Sequence, residues 1–390
     1  MVKEIGMAVV RVSIEPSILN WVINNVSFDD IGYERSQTLS DWIAGKKAPT
    51  FNQIETFSRA SHIPLGYFFL KNPPAEVFPI LNYRTIGSVA DDNLSRNLAD
   101  TIHNMESVQI WMRDYLLSVG NDKSSIVSSA SINDPIITVA NKIRTDLGLQ
   151  NDWATQTTDP WDAFKYFRKA MENAGILIMM NGVVGNNTHR KLNIEEFRAF
   201  ILIDEYAPLI FINANDSDAG RLFSLVHEGV HIWIGEEELY NDRYNINFNI
   251  SPLETFCNAV TAEILVPNGL FITEWNKSNT PVLARIKSLA SHFSCGEMVI
   301  ARRAFDNKFI SKEEYKNITS LIIEGYNKKT KKNPGGDYYN TNLTRIDRNF
   351  LLALDNSIHE GKTQYTDAFR LTHTTRATFP QVVQRMKDGE

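Results

Sequence analysis

Residues 225–235 read LVHEGVHIWIG, and this stretch decides the fold of the middle of the chain. His227 and His231 are four residues apart, and Glu228 directly follows the first histidine in a run that is otherwise apolar. On an α-helix, side chains at positions i and i+4 lie one above the other, so two imidazoles can reach one metal ion. The pattern predicts a buried helix that carries part of a zinc site.

The residue types fit hydrolytic chemistry. A catalytic zinc ion keeps one position for water, whose pKa falls from about 16 to about 7 when it binds. Glu228 follows a ligand without being one, so it is placed to accept the proton of that water and pass it to a leaving amine. The alternative interpretation is a chance spacing of two core histidines, which the apolar run and the next predicted helix make the weaker one.

A third ligand is expected from residues 251–267, SPLETFCNAVTAEILVP. Ser251 and Glu254 form a capping pattern, and Pro252 stands at the first helical position. Glu254, in the first turn of this helix, is the best candidate for the third zinc ligand. Asn258 lies one turn later on the same face, where it is predicted to hydrogen-bond a ligating histidine and fix the ring orientation.

Two other side chains of this helix are weaker ligand candidates. Glu263 points more than a quarter-turn away from Glu254, because it lies nine residues further along the helix. Cys257 precedes Asn258, and a small buried thiol is its commoner function. We therefore predict that neither residue binds the metal.

Composition indicates a soluble, globular protein of two or three domains, with 390 residues, 43% hydrophobic and 22% charged. The sequence contains no membrane-spanning run and no signal-peptide core. For that reason no membrane partner is expected. The two cysteines, Cys257 and Cys295, provide no disulfide framework, which favours a cytoplasmic location. Because the formal net charge is −6, any contact with nucleic acid has to be local.

Residues 1–72 predict an all-α, helix-turn-helix domain. Four short amphipathic helices are expected within 13–26, 27–35, 36–45 and 49–70. The third helix places Leu39, Trp42 and Ile43 on one face and stops at Gly45.

Candidate DNA contacts surround the third of these helices: Arg35, Ser36, Gln37, Thr38, Lys46 and Lys47. Residues 1–80 contain seven Lys or Arg against eight Asp or Glu, which argues against strong non-specific binding to phosphates. Two interpretations stay open: sequence-specific binding of double-stranded DNA, which requires a homodimer to contact a palindrome, or a docking domain that has lost its basic surface.

The rest of the chain divides into four predicted parts. Residues 73–150 form a linker and helical region, with helices at 91–120 and 134–147. Residues 151–270 form the metallopeptidase domain, in which strands at 176–180, 197–204 and 208–213 make a small sheet packed on the zinc helix, an α+β arrangement. Residues 271–325 are helical, and residues 326–390 form a C-terminal domain. The Lys-rich segment 328–332 is interpreted as a solvated loop.

Over nearly its full length the chain resembles the ImmA/IrrE-type zinc metallopeptidases fused behind an XRE-type helix-turn-helix. The resemblance is carried by VVGNNTHRKLNIEEFRAFILIDEYAPLIFINAND (183–216), FSLVHEGVH (223–231), ETFCNAVTAEILVP (254–267) and LSDWIAGKKAPTFNQIETFSRASHIPLGYFFL (39–70). It implies a zincin-like core with a helical C-terminal extension. One departure is that Gly229 and Val230 fill the variable positions of the zinc motif.

The resemblance also implies functions for individual residues. The zinc ligands would be His227, His231 and Glu254, with Glu228 as general base and Asn258 as the residue that orients a ligand. Asn186, Asn187 and Thr188 would line or shape a substrate groove, although a turn-forming function fits them equally well. Arg198 and Asn213, which flank the hairpin strands, are expected to support the core.

Two functions follow from the resemblance. The first is a zinc-dependent metalloendopeptidase that cleaves or controls a partner protein, either a repressor or a toxin, and binds DNA at its own operator. The second is an antitoxin or transcriptional regulator that binds DNA and a partner toxin, with a structural or rarely used zinc site. An intact Glu228 favours the first function, and the helix-turn-helix favours the second.

Overall fold

The computed structural model describes residues 10–26, 31–74, 94–236, 251–329 and 343–388. Within these ranges the chain forms two compact units, the first made of 10–26, 31–74 and 94–102 and the second of 103–388. Helices predominate beside a three-stranded and a two-stranded sheet, which confirms the mixed α+β class. No single helix in the described part is long and apolar enough to cross a membrane.

The first unit begins with three short helices, α1 (Pro16–Asn25), α2 (Tyr33–Ile43) and α3 (Phe51–Ser61), followed by a 3₁₀ turn at Leu65–Phe69. A capping box at Thr50 starts α3, because its hydroxyl accepts the Gln53 N–H at 3.2 Å. The buried side chains of Ile18, Leu39, Ile54 and other apolar residues form one hydrophobic core.

Two expectations for α2 are wrong. The predicted break between residues 35 and 36 does not exist: α2 begins at Tyr33, directly after Gly32, whose φ of 78° is the left-handed conformation that glycine favours. Ile43, predicted on the buried face with Leu39 and Trp42, is 38% exposed at the last position of the helix. Residues 27–30 of the predicted second helix lie outside the described residues.

Helix α4 (Arg96–Ser118) is followed by α5 (Ile136–Asp146) and α6 (Pro160–Asn173), close to the two helices predicted at 91–120 and 134–147. The strands then follow as β1 (Leu177–Asn181), β2 (Val183–Val184), β3 (Asn187–Lys191), β4 (Ala199–Leu202) and β5 (Leu209–Asn213). The remaining helices are α7 (Asp218–Ile234), α8 (Pro252–Leu265), α9 (Asn268–Asn276), α10 (Val282–His292), α11 (Glu297–Asp306), α12 (Lys312–Lys329), α13 (Arg348–His359), α14 (Tyr365–Thr372) and α15 (Phe379–Asp388).

The main sheet has the strand order β1-β5-β4. The predicted hairpin is confirmed, since β4 pairs antiparallel with β5. Strand β1 pairs parallel with β5 from Leu177 opposite Leu209 to Asn181 opposite Asn213. Helix α7 packs against β4 and β5, so the sheet supports the predicted zinc helix directly.

The segment VVGNNTHR forms a second, smaller β-structure. Strands β2 and β3 pair antiparallel as a hairpin directly after β1, which the sequence analysis did not predict. Asn215 holds the base of this hairpin by donating to the carbonyl groups of Gly182 at 2.7 Å and Leu192 at 2.8 Å. The hairpin is thereby attached to the loop that precedes α7.

Helices α10 and α11 lie in the region predicted to be helical, residues 271–325, and act as packing elements. Ile286, Phe293 and Ile300 are fully buried in the core of the second unit. Most of the Pro-rich linker at 72–79 and of the Lys-rich segment 328–332 lies outside the described residues, so both interpretations stay predictions.

Candidate metal centre

Helix α7 brings the two histidines of the quoted stretch onto one buried face. Its first turn is capped by the Ser217 hydroxyl, which accepts the Gly220 N–H at 3.1 Å. Gly235 ends the helix with a φ of 80°. His227, Glu228 and His231 are all 0% exposed.

Glu254 joins the two histidines from the first turn of α8. The Ser251 hydroxyl accepts the Glu254 N–H at 3.1 Å, which confirms the predicted helix cap. The Glu254 side chain points away from that cap toward α7, because its carboxylate oxygens lie 3.1 Å from His227 Nε2 and 3.2 Å from His231 Nε2. The two Nε2 atoms lie 3.2 Å apart.

These distances fit a metal ion. Four ligands placed tetrahedrally at about 2.0–2.1 Å from a metal lie about 3.3 Å from one another, close to the three observed separations. The ligand atoms of His227, His231 and Glu254 all lie within 4.8 Å of one another, and all three residues are buried. One ion at the centre of this triangle would contact all three groups.

The backbone orients His231 for this purpose. Its Nδ1 atom lies 2.9 Å from the carbonyl oxygen of Glu236. A carbonyl accepts hydrogen bonds only, so Nδ1 carries the proton and Nε2 presents its lone pair to the triangle.

The electrostatic environment favours a cation. Burial alone would raise the pKa of Glu254, but the charges and hydrogen bonds of His227 and His231 outweigh it and hold this pKa well below its usual range. Burial lowers the pKa of His231, but Cys257, Glu254 and Glu228 hold it well above its usual range. The carboxylates of Glu254 and Glu228 therefore stabilise positive charge at this buried site.

Neither Cys257 nor Glu263 belongs to the triangle. Cys257 contacts His231, and burial raises the pKa of its thiol although His231 acts in the opposite direction. Glu263 lies on another face of α8, where its carboxylate accepts from Arg303 Nη2 at 2.6 Å and from the Asn268 N–H. It stabilises the turn between α8 and α9.

Asn258 does not make the predicted hydrogen bond within the described residues. Its side chain is half-buried, and neither histidine is bonded to it, whereas the Glu236 carbonyl contacts His231. Sequence reasoning could not identify Glu236, because every residue type has a backbone carbonyl. An orienting function for Asn258 stays a prediction.

The other predicted groove and support residues occupy the sheet. Asn187 and Thr188 are exposed on β3, and the Asn187 side chain accepts the His189 N–H at 3.0 Å, a turn-forming contact. Arg198 forms a buried ion pair with Asp216 at 2.6 Å. Asn213 is fully buried and donates to the Phe197 carbonyl at 3.1 Å. Arg198 and Asn213 thus support the loop before α7, whereas a groove function for Asn187 and Thr188 stays a prediction.

The candidate DNA contacts lie on and after α2 in the first unit. Ser36, Thr38 and Arg35 hydrogen-bond the backbone carbonyls of residues one turn earlier. Gln37 and Lys47 are exposed, and Lys46 pairs with Asp41 at 3.1 Å. Four of the six residues lie on α2 and two lie shortly after its end, and their contact with DNA stays a prediction.

Comparison with known families gives two matches, each to a part of the chain. Residues 171–305 match the family model described as the IrrE N-terminal-like domain, Peptidase_M78. This range contains the sheet, α7 and α8, so the metallopeptidase part of the resemblance is supported. Residues 346–385 match a domain of unknown function, DUF8813. No curated protein and no solved structure matches the chain.

Proposed function

We propose that this protein is a zinc-dependent endopeptidase-type regulator of the ImmA/IrrE kind. The observation that carries the proposal is the buried triangle of His227, His231 and Glu254, with Glu228 adjacent to the first ligand. Bound zinc supplies Lewis acidity and lowers the pKa of water. The chemistry of the donor set, two imidazoles and one carboxylate, is the combination found in catalytic zinc sites of peptidases.

Glu228 is the proposed general base. It directly follows His227 on α7, and its charge contributes to the raised pKa of His231, which places its carboxylate near the triangle. A purely structural site needs no carboxylate beyond its ligands. During hydrolysis Glu228 would hold the proton removed from water and deliver it to the amine of the broken peptide bond.

The first experiment compares two variants of the full chain. Glu228→Gln should retain stoichiometric zinc, measured by inductively coupled plasma mass spectrometry, and lose cleavage of a proteome-derived peptide library. His231→Ala should lose both zinc and cleavage. If Glu228→Gln cleaves the same peptides at the wild-type rate, the proposed base is wrong.

The second candidate is an antitoxin or transcriptional regulator whose zinc is structural or rarely used. One observation favours it: His227, Glu228 and His231 are 0% exposed and Glu254 is 4% exposed. A cluster buried in this way can hold a structural metal ion without admitting a peptide. If wild-type protein holds zinc but cleaves no peptide in the library, and zinc removal still impairs partner binding, this candidate is favoured.

The proposed partner is a regulatory protein of the cytoplasm, either a repressor or a toxin, and the proposed DNA ligand is the protein's own operator. Exposure of Gln37 and Lys47 on and after α2 supports a DNA-facing surface, and a homodimer would contact two half-sites. A gel-shift assay with the upstream region should show a salt-sensitive complex that Gln37→Ala and Lys46→Ala weaken. Absence of that complex at micromolar protein would leave the first unit as a docking domain.

A further inference from the structure

The C-terminal region that matches the domain of unknown function lies on the outer edge of β1. In β1, the N–H of Leu177 and the carbonyl of Asn181 face the β5 side, where they bond the Pro208 carbonyl and the Ala214 N–H. Ile178 faces the opposite side, away from β5. Its N–H donates to Asp347 Oδ2 at 2.9 Å, and its carbonyl accepts from Arg168 Nη2 at 2.9 Å. Two side chains thus replace a neighbouring strand at this edge.

Arg168 of α6 joins the same edge to the chain that leads into α13. Its guanidinium donates to the Thr344 carbonyl at 2.6 Å and the Ile346 carbonyl at 3.1 Å. Its Nε atom donates to Glu172 at 2.7 Å. Asn349 adds a bond to the Glu172 carbonyl at 2.6 Å. Residues 344–349 are therefore held to β1 and α6 by polar contacts with little exposure to solvent.

The hairpin β2–β3 is held by the same region. Arg345 donates to the Asn186 side-chain oxygen at 2.7 Å, and the Asn186 amide donates to the His373 carbonyl. A Cβ atom at Gly185 would lie 3.0 Å from the His373 ring, so the turn of the hairpin packs closely against that imidazole. The C-terminal region thus contacts both β1 and the hairpin that follows it.

The charges at this junction do not balance. Asp347 is 0% exposed, and the side chains of Arg168 and Glu172 are 11% and 13% exposed. The carboxylates of Asp347 and Glu172 thus face one guanidinium, that of Arg168. This guanidinium bonds Glu172 and backbone carbonyls. Among the described residues, the donors to the Asp347 carboxylate are the N–H groups of Ile178 and Phe350. A buried group of two acids and one base is more stable when one acid holds a proton.

We propose that residues 343–388 form a proton-dependent clasp, in which protonation of Asp347 holds the C-terminal helices on the edge of β1. The charged groups that face Asp347 are Glu172 and Arg168 from α6, while β1 contributes backbone and Met179 and α13 contributes the Phe350 N–H. The function of the clasp is to cover the edge of the main sheet that β1 forms, opposite the edge formed by β4.

Burial, and the charge of Glu172 after it, raise the pKa of Asp347 to about 7, against 3.8 for the free group. A raised acid pKa means that the docked state binds the proton more tightly than the released state. The contact that Asp347 makes is therefore strongest at low pH and weakens as pH rises from about 4 toward 7, after which the effect levels off. At the hairpin contact the sign is opposite, because burial lowers the pKa of the His373 imidazole, so protonation at low pH weakens that contact. Between pH 6 and pH 8 these two pKa values give about a tenfold increase in the fraction released.

Hydrogen–deuterium exchange of the full chain tests the clasp, with exchange expressed as protection factors to remove the intrinsic effect of pH. In the wild type, protection of the peptides containing Ile178 and residues 344–350 should fall about tenfold between pH 6 and pH 8. Asp347→Asn should show equal protection at both pH values. Glu172→Gln should show a smaller pH effect than the wild type, because it removes the like charge.

Asp355→Asn is the matched control. Asp355 is a buried carboxylate of the same helix α13, but it pairs with Lys387 at 2.6 Å, far along the chain from the β1 contact. This variant should keep the tenfold pH effect. Equal protection of the wild type at pH 6 and pH 8 overturns the proposal, as does a persistent tenfold effect in Asp347→Asn. Should Asp347→Asn not fold, the wild-type and Glu172→Gln comparison decides.

Discussion

Substitution of Gly235 by alanine tests how the end of α7 is built. Gly235 has a φ of 80°, and a Cβ atom added there would lie 2.0 Å from the Ser128 hydroxyl and 2.7 Å from its Cβ. The left-handed conformation costs a non-glycine residue about 1–2 kcal/mol. Displacement of Ser128 would also break the bond from its N–H to the Ile232 carbonyl, now 3.0 Å, worth about 1 kcal/mol. We expect Gly235→Ala to lower the free energy of unfolding by about 2–3 kcal/mol.

The same chain provides a control and a rescue. Gly361 has a φ of 71° with no atom within 4 Å of an added Cβ, so Gly361→Ala should show the backbone cost alone. Ser128 itself has a φ of 56°, so Ser128→Gly removes both the clash and an unfavourable conformation. Adding Ser128→Gly to Gly235→Ala should recover about 1 kcal/mol or more.

Urea unfolding followed by tryptophan fluorescence measures these differences, and zinc titration shows whether the change reaches the metal centre. Glu236, whose carbonyl contacts His231, directly follows Gly235, so Gly235→Ala should also weaken zinc binding. If Gly235→Ala destabilises the protein no more than Gly361→Ala does, the close contact with Ser128 does not restrict this position and the reasoning fails.

Three further predictions concern the same unit. Asp216→Asn should cost about 3–5 kcal/mol, because it leaves Arg198 charged in a buried place, and replacing both partners by leucine should recover much of the loss in thermal unfolding. Removal of zinc by a chelator should lower the melting temperature, since an ion present at a thousandfold its Kd stabilises by about 4 kcal/mol; an unchanged transition would exclude a metal bound at the triangle. Asn258→Ala should weaken zinc binding about ten- to hundredfold if Asn258 orients a ligand, and unchanged zinc affinity would remove that function from it.

The features of the metal centre that were predicted correctly are mostly those that depend on residues close together in sequence. The spacing of His227 and His231 and the cap at Ser251 follow from helix geometry within one or two turns, and the structure places Glu254 against both histidines. The antiparallel hairpin of β4 and β5 follows from a short connection. The histidine spacing, the cap at Ser251 and the hairpin each depend on neighbours in sequence, so periodicity and turn chemistry suffice to predict them.

The sequence could not predict the backbone partner of His231 or the pairing of β1 with β5, and the reason is physical. The Glu236 carbonyl carries no side-chain signal, so Asn258 was the only visible candidate to orient His231. The parallel pairing of β1 with β5 joins residues 32 positions apart, from Leu177 to Leu209, and depends on how α6 and α7 pack on the sheet. The predicted start of α2 was wrong because Gly32 takes the left-handed conformation, and the helix begins directly after it.

The clasp shows the same limit most clearly. Arg168 and Glu172 are four residues apart on α6, a spacing that usually indicates a solvated ion pair on a helix surface. In the structure their side chains are largely buried. The other donor groups of Arg168 bond the carbonyl of Ile178 in β1 and the carbonyls of Thr344 and Ile346. An ion pair on an exposed face and one on a buried face have the same sequence pattern. The segment that covers the pair distinguishes them, and that segment lies more than 170 residues further along the chain.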